Sequence, residues 1–258
     1  MEEFLVIAGI SFLISVMSGV LGLGGAVILI PAYLYLPSLF GMHDLDIKTI
    51  SGITSIQVLV TSFLGMIIHK KRGSVNKPLL FYIGIPMMVS ALVGALFSGA
   101  VDGQLIIISF AIMAFAGAVL MFFSKAEPAE TVNPAEVVFN KRLAVTIAVL
   151  IGFFGGIVGA PGAFLLAPVM ITVLKVPMRI TIGSTLGIIL FTALTASIGK
   201  TVSGQVDFIL SSYAVIGAVA GVVIGSSLSY RFKPKFLRLA LAFIIIGVAV
   251  EMIISLLS

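Results

Sequence analysis

The chain of 258 residues contains no cysteine. Disulfides, thiolate nucleophiles and cysteine-held metals are therefore excluded. Charge is scarce as well: 10% of the positions are Asp, Glu, Lys or Arg, where a soluble domain carries about a quarter. So few ionic groups cannot cover a water-soluble core, and the surplus apolar area must face lipid. No HExxH, Walker A or GxSxG pattern occurs, so the common zinc-protease, P-loop and serine-hydrolase signatures are missing. The Gly22-Leu23-Gly24 stretch is not a nucleotide fingerprint, because no βαβ unit surrounds it. The net charge of +5 comes without a basic helix or an aromatic platform, so nucleic acid is not an expected partner.

What is present is apolar sequence. Hydrophobic residues fill 60% of the chain, and the mean hydropathy is +1.28. Apolar segments are predicted at 4–21, 25–40, 47–69, 78–100, 104–123, 143–160, 163–176, 180–200, 207–229 and 236–257. Several reach the roughly 20 residues that a helix needs to span hydrocarbon. Met1-Glu2-Glu3 gives the first segment an acidic flank, unlike a signal peptide, so it reads as a retained helix. The one long polar connector, 124–142, holds Glu127, Pro128, Glu130, Pro134 and Glu136. It divides the chain into 1–123 and 143–258.

These two parts repeat. The run from Gly19 through Gly22, Gly24 and Gly25 to Pro31 lies over Gly156, Gly159, Pro161, Gly162 and Pro168, 137 positions on. Gly52 and Thr54 lie over Gly183 and Thr185, 131 positions on, and the same offset joins Gly73 to Gly204 and Gly94 to Gly225. Basic residues then set orientation. Loops 69–77, 124–142, 175–179 and 230–238 carry 13 of the 15 lysines and arginines, and all four fit the cytoplasm by the positive-inside rule. Segment 47–69 must then run inward and its counterpart 180–200 outward, with both termini outside. The expected architecture is an all-α polytopic membrane protein of two inverted-topology repeats. Each is a broken or re-entrant helical hairpin followed by three transmembrane helices. The hairpin arms, about 14 to 18 residues each, are short for full spans. Inverted repeats are typical of secondary transporters, with the site near the midplane.

The candidate substrate site follows from the repeat. Gly24 and Gly25 in one half, and Pro161 and Gly162 in the other, break a helix and start a new one. The free N–H groups of such a start favour an anion. The competing use of these glycines is close helix packing. Thr54, Ser55 and Gln57 face Ser184 and Thr185 across the repeat, and such groups donate hydrogen bonds without a buried charge. In membrane helices the same side chains also satisfy carbonyls of their own helix. Lys200, at the outer end of its helix, is placed to attract anions at the entrance. Glu251 reads as snorkelling to the interface, and His69 as a cytoplasmic interface anchor. His43, Asp44 and Asp46 read as a solvated outer loop rather than a metal site, and the eleven methionines as packing residues.

The glycine-rich hairpin from Gly19 to Pro31, its echo from Gly155 to Pro168 and the helix around Gly183-Ser184-Thr185 resemble the TauE/SafE sulfite-exporter family of membrane permeases. The resemblance runs over nearly the whole chain. It implies transport of sulfite, sulfonates, sulfoacetate or related organosulfur anions across a bacterial or archaeal plasma membrane. It brings no catalytic motif and no cofactor. Pro161 stands opposite Gly24, so the two turns are not equivalent. With no soluble ATPase domain, a gradient or facilitated diffusion must drive transport. A coupling ion, proton or sodium, and a homodimer stay open. The alternatives are an anion channel, a cation-coupled carrier of another small ion, or a subunit of a membrane complex.

Overall fold

The computed structural model describes residues 2–21, 25–41, 43, 45–71, 74–123, 137–160 and 162–257. Gly24, Pro161 and Asp44 lie outside them, as does most of the polar linker. The described residues form ten α-helices and no strand. In chain order these are α1 (Glu2–Leu21), α2 (Ala26–Leu39), α3 (Ile47–Lys71), α4 (Lys77–Phe97) and α5 (Gly103–Phe122), then α6 (Lys141–Val158), α7 (Ala163–Thr172), α8 (Met178–Val202), α9 (Phe208–Leu228) and α10 (Pro234–Leu257). Seven are long and apolar enough to cross a membrane. Large apolar side chains such as Phe63, Ile112, Phe115 and Phe243 stand exposed around them, as lipid contact requires. The chain is a multi-pass helical membrane protein.

The hairpin arms differ from the sequence expectation in one respect. The first arms, α1 with 20 residues and α6 with 18, are long enough to cross. Only the return arms are short, at 14 residues in α2 and 10 in α7. At 1.5 Å per residue these reach about 21 and 15 Å, against a hydrocarbon core of about 30 Å.

Glycine sets how closely the helices approach. Gly217, Gly221 and Gly225 recur every fourth residue and so share one face of α9. A Cβ on each would collide with the Ala8, Phe12 and Val16 carbonyls of α1 in turn. The two helices therefore run parallel in close contact. In α6, Gly152 and Gly156 meet the Met87 and Ala91 carbonyls of α4 in the same manner, and Gly94 of α4 meets Phe153. These are small-residue contacts of the kind that hold membrane helices together. Each joins a first hairpin arm to a helix from beyond the linker.

The centre is built from α3 and α8. Gly52 near the start of α3 lies against the Gln205 carbonyl just past α8, and Gly183 near the start of α8 lies against the Ser74 carbonyl just past α3. The two helices thus run in opposite directions. Helix α8 also runs along α4, with Gly187 against Leu80 and Gly199 against Ala95. Helices α5 and α10 pack on each other and cover α7 and α2.

A leucine at Gly217 or Gly156 has no space, and overpacking of this kind costs about 1–3 kcal/mol. Gly217→Leu and Gly156→Leu should each lower the unfolding temperature in detergent. Gly9→Ala, at a position inside α1 with open space around it, should not lower it.

Candidate functional site

Both return arms start on a glycine. Gly25 precedes α2 with φ 92°, and Gly162 precedes α7 with φ 60°, a region that glycine enters without strain. Neither helix start is capped by its N-cap residue. The first N–H groups of an α-helix have no partner inside the helix, and the glycine at each N-cap has no side chain to supply one. Ser18 of α1 lies against Gly25, its hydroxyl 3.4 Å from where a Cβ would stand. That hydroxyl is 1% exposed and has no hydrogen-bond partner among the described residues. Gly155, 137 positions beyond Ser18, lies against the Gly162 amide but brings no hydroxyl.

The sequence-derived hydroxyls fare differently from one another. Thr54 is fully buried, and its Oγ1 has no partner among the described residues. Thr185 donates to Met170 Sδ at 3.4 Å. Ser55 donates to the Gly52 carbonyl of its own helix at 2.8 Å, the local use common for membrane serines. Ser184 accepts from the Asn76 N–H at 2.9 Å, and Asn76 in turn caps α4. Ser184 thus tethers α4 to α8.

Gln57 leads to a cluster that the sequence reading missed. Its Oε1 accepts from the Tyr33 hydroxyl at 2.7 Å, and its Nε2 donates to Ser15 Oγ at 3.2 Å. Tyr33 also meets Ser11 Oγ at 2.6 Å. All four residues are buried, so α1, α2 and α3 are pinned together by polar contacts in an apolar setting. The signal was available: Ser11, Ser15 and Ser18 sit at i, i+4 and i+7, one face of a helix. The corresponding positions beyond the linker are Ala148, Gly152, Gly155, Met170 and, for Gln57, Ile188. The polar cluster has no counterpart there.

Lys200 is in the last turn of α8, but it is not an exposed entrance charge. Its side chain is fully buried. The ammonium donates to the Ile157 carbonyl at 2.7 Å, Ser98 Oγ at 2.8 Å and Gln205 Oε1 at 2.9 Å. Ile157 is in the last turn of α6, where free carbonyls attract a cation. Ser51 of α3 holds the next carbonyl, Val158, at 2.6 Å. At the opposite end of the bundle the matching position is His69. Its Nδ1 meets the Tyr230 hydroxyl at 2.8 Å, while Ser229 donates to the Val20 carbonyl of α1 at 2.7 Å. The carbonyl end of each first arm is therefore held across the linker, α1 by Ser229 and α6 by Ser51, while Lys200 holds α6 from its own side. Glu251 is half-buried in α10, and His43 and Asp46 are exposed. Among the described residues no group of three metal-ligating side chains converges.

These contacts set two expectations. Tyr33→Phe strands Gln57 Oε1, while Ser11 keeps its bond to the Ile7 carbonyl, and should destabilise the purified protein by about 1–3 kcal/mol. Lys200→Met should lower the unfolding temperature to a similar extent, because the Ile157 carbonyl loses its donor. A melting curve unmoved by Lys200→Met would instead mark a free surface charge.

Comparison with known proteins gives a consistent result. The family model described as Sulfite exporter TauE/SafE matches residues 7–252. The probable membrane transporter protein YunE of Bacillus subtilis is 21% identical, covering 97% of both chains. A probable membrane transporter protein of Xylella fastidiosa is 23% identical over 98% of this chain and 95% of its own. YjnA of Bacillus subtilis, another probable membrane transporter protein, is 28% identical over 91% and 94%. No solved structure matches. With the family match running from the first helix into the last, this chain belongs to the sulfite exporter TauE/SafE family of membrane transporters.

Proposed function

We propose that the protein is a secondary transporter, not an enzyme, that moves a small sulfur-containing anion across a prokaryotic plasma membrane. Sulfite, sulfonates, sulfoacetate and related organosulfur compounds are the substrate class, as the family description suggests. The observation that carries the reading is the uncapped start of α2 at Gly25 with the buried, unpartnered Ser18 hydroxyl beside it. An oxyanion accepts hydrogen bonds from both and meets the positive end of the helix dipole. Gly162 at α7 offers a second such start, and Gly24 and Pro161 belong to the same turns. Thr54 has a hydroxyl free to donate, while Thr185, Ser55 and Ser184 shape the surrounding helices. Gln57, braced by Tyr33, Ser11 and Ser15, holds α2 in register with α3.

The two parts, 1–123 and 143–258, act in this reading as inverted repeats on either side of the cytoplasmic linker 124–142. The support is the opposed direction of α3 and α8 and the exchange of contacts between α1–α9 and α4–α6. Alternating access then follows from rocking about the α3–α8 centre. The substrate gradient or a coupled proton or sodium gradient drives it.

Counterflow of sulfite and sulfoacetate in proteoliposomes tests this. Wild type should show saturable exchange. Ser18→Ala and Thr54→Val should each weaken apparent affinity by roughly 10-fold or more, since a hydrogen bond to a charged group contributes about 1.5–3 kcal/mol. Folded protein that exchanges neither anion, or that conducts without saturation, would overturn the carrier reading.

A further inference from the structure

Two grooves of nearly equal size are lined mostly by apolar side chains. One, about 490 Å³, runs between α1 and α2 past Leu5, Leu13 and Phe40, and no ionic side chain lines it. The other, about 510 Å³, lies where α3 ends and α4 begins. Met66, Val75, Leu80 and Phe81 form its apolar wall, and Lys70 and Lys77 stand in it. We propose that this second groove binds one anionic phospholipid, with acyl chain along Met66, Leu80 and Phe81 and headgroup phosphate between Lys70 and Lys77.

Four observations converge on that occupant. Both lysines are exposed, and neither has a carboxylate partner among the described residues. Lys77 opens α4, whose first turn holds no acidic residue. A cation there adds to the positive end of the helix dipole, where an anion is the favoured neighbour. Phe81 is 58% exposed, so the wall beneath the lysines is a surface that only lipid or another apolar group covers. Finally, the positions 131 residues beyond Met66, Lys70 and Lys77 are Ser197, Thr201 and Phe208, so no such cation pair exists at the corresponding place. A free phosphate would leave the apolar wall unused, and a neutral lipid would leave the lysines unused. An anionic phospholipid satisfies both, as basic pockets beside membrane helices do in general.

The test is native mass spectrometry of the full chain in detergent, with phosphatidylglycerol or phosphatidylcholine of identical chains added. Wild type should retain one phosphatidylglycerol in preference to phosphatidylcholine, and millimolar inorganic phosphate should not displace it. The double variant Lys70→Gln/Lys77→Gln should bind phosphatidylglycerol roughly 25-fold more weakly, from the usual contribution of two lysines near a membrane surface. Lys141→Gln should keep the preference, since Lys141 lies 4.9 Å over the Tyr82 ring and outside the groove. Phe81→Ser, at an exposed position that does not disturb the core, should weaken both lipids alike. Equal retention of the two lipids by wild type would overturn the site. So would an unchanged preference in the double lysine variant, displacement by inorganic phosphate, or an unaltered Phe81→Ser.

Discussion

In hydrocarbon every backbone N–H and C=O must find a partner within the protein, and an unsatisfied group costs several kcal/mol. This chain interrupts its helices at Gly25 and Gly162 in apolar surroundings, and the neighbouring structure answers that constraint unevenly. The carbonyl ends of the first arms are held: Ser229 takes Val20, Lys200 takes Ile157 and Ser51 takes Val158. The amide ends of the return arms receive no side-chain cap. Side chains hold the acceptors at the breaks, whereas the glycine at each helix start offers none to the donors.

The two sides of the linker differ in chemistry. Ser11, Ser15, Ser18, Tyr33 and Gln57 give one of them a buried polar face. Their counterparts Ala148, Gly152, Gly155, Met170 and Ile188 give the other an apolar one. Polar networks inside a membrane fix geometry when all members are bonded, and four of these five are bonded to one another. The fifth, Ser18, is the one beside the helix break.

The helices were legible because lipid-facing and core-facing segments are both apolar, so length and hydropathy alone mark them. The predicted segments correspond to ten helices with ends shifted by a few residues. Glycine spacing also pointed to hairpin tips, and Gly25 and Gly162 do have positive φ. The length of the first arms was harder to read, since a glycine-rich helix end at Gly19 or Gly156 looks like a turn until a partner helix such as α9 or α4 is seen against it. Depth was not legible for Lys200. A lysine at a helix end normally reaches water, and only the fold brings Ser98, Gln205 and the Ile157 carbonyl around it. Tyr33 was missed because its partners are 22 and 24 residues away, beyond any local pattern.

The parallel clasps of α1 with α9 and of α6 with α4 carry a further consequence. Each first arm has its tightest glycine-lined interface with a helix encoded on the far side of the linker. The closest helix contacts of the molecule therefore cross the linker instead of staying on one side of it. Either half translated alone would expose a ladder of bare backbone with nothing to lie against it. The polar linker divides the sequence, but the helix packing runs straight across it.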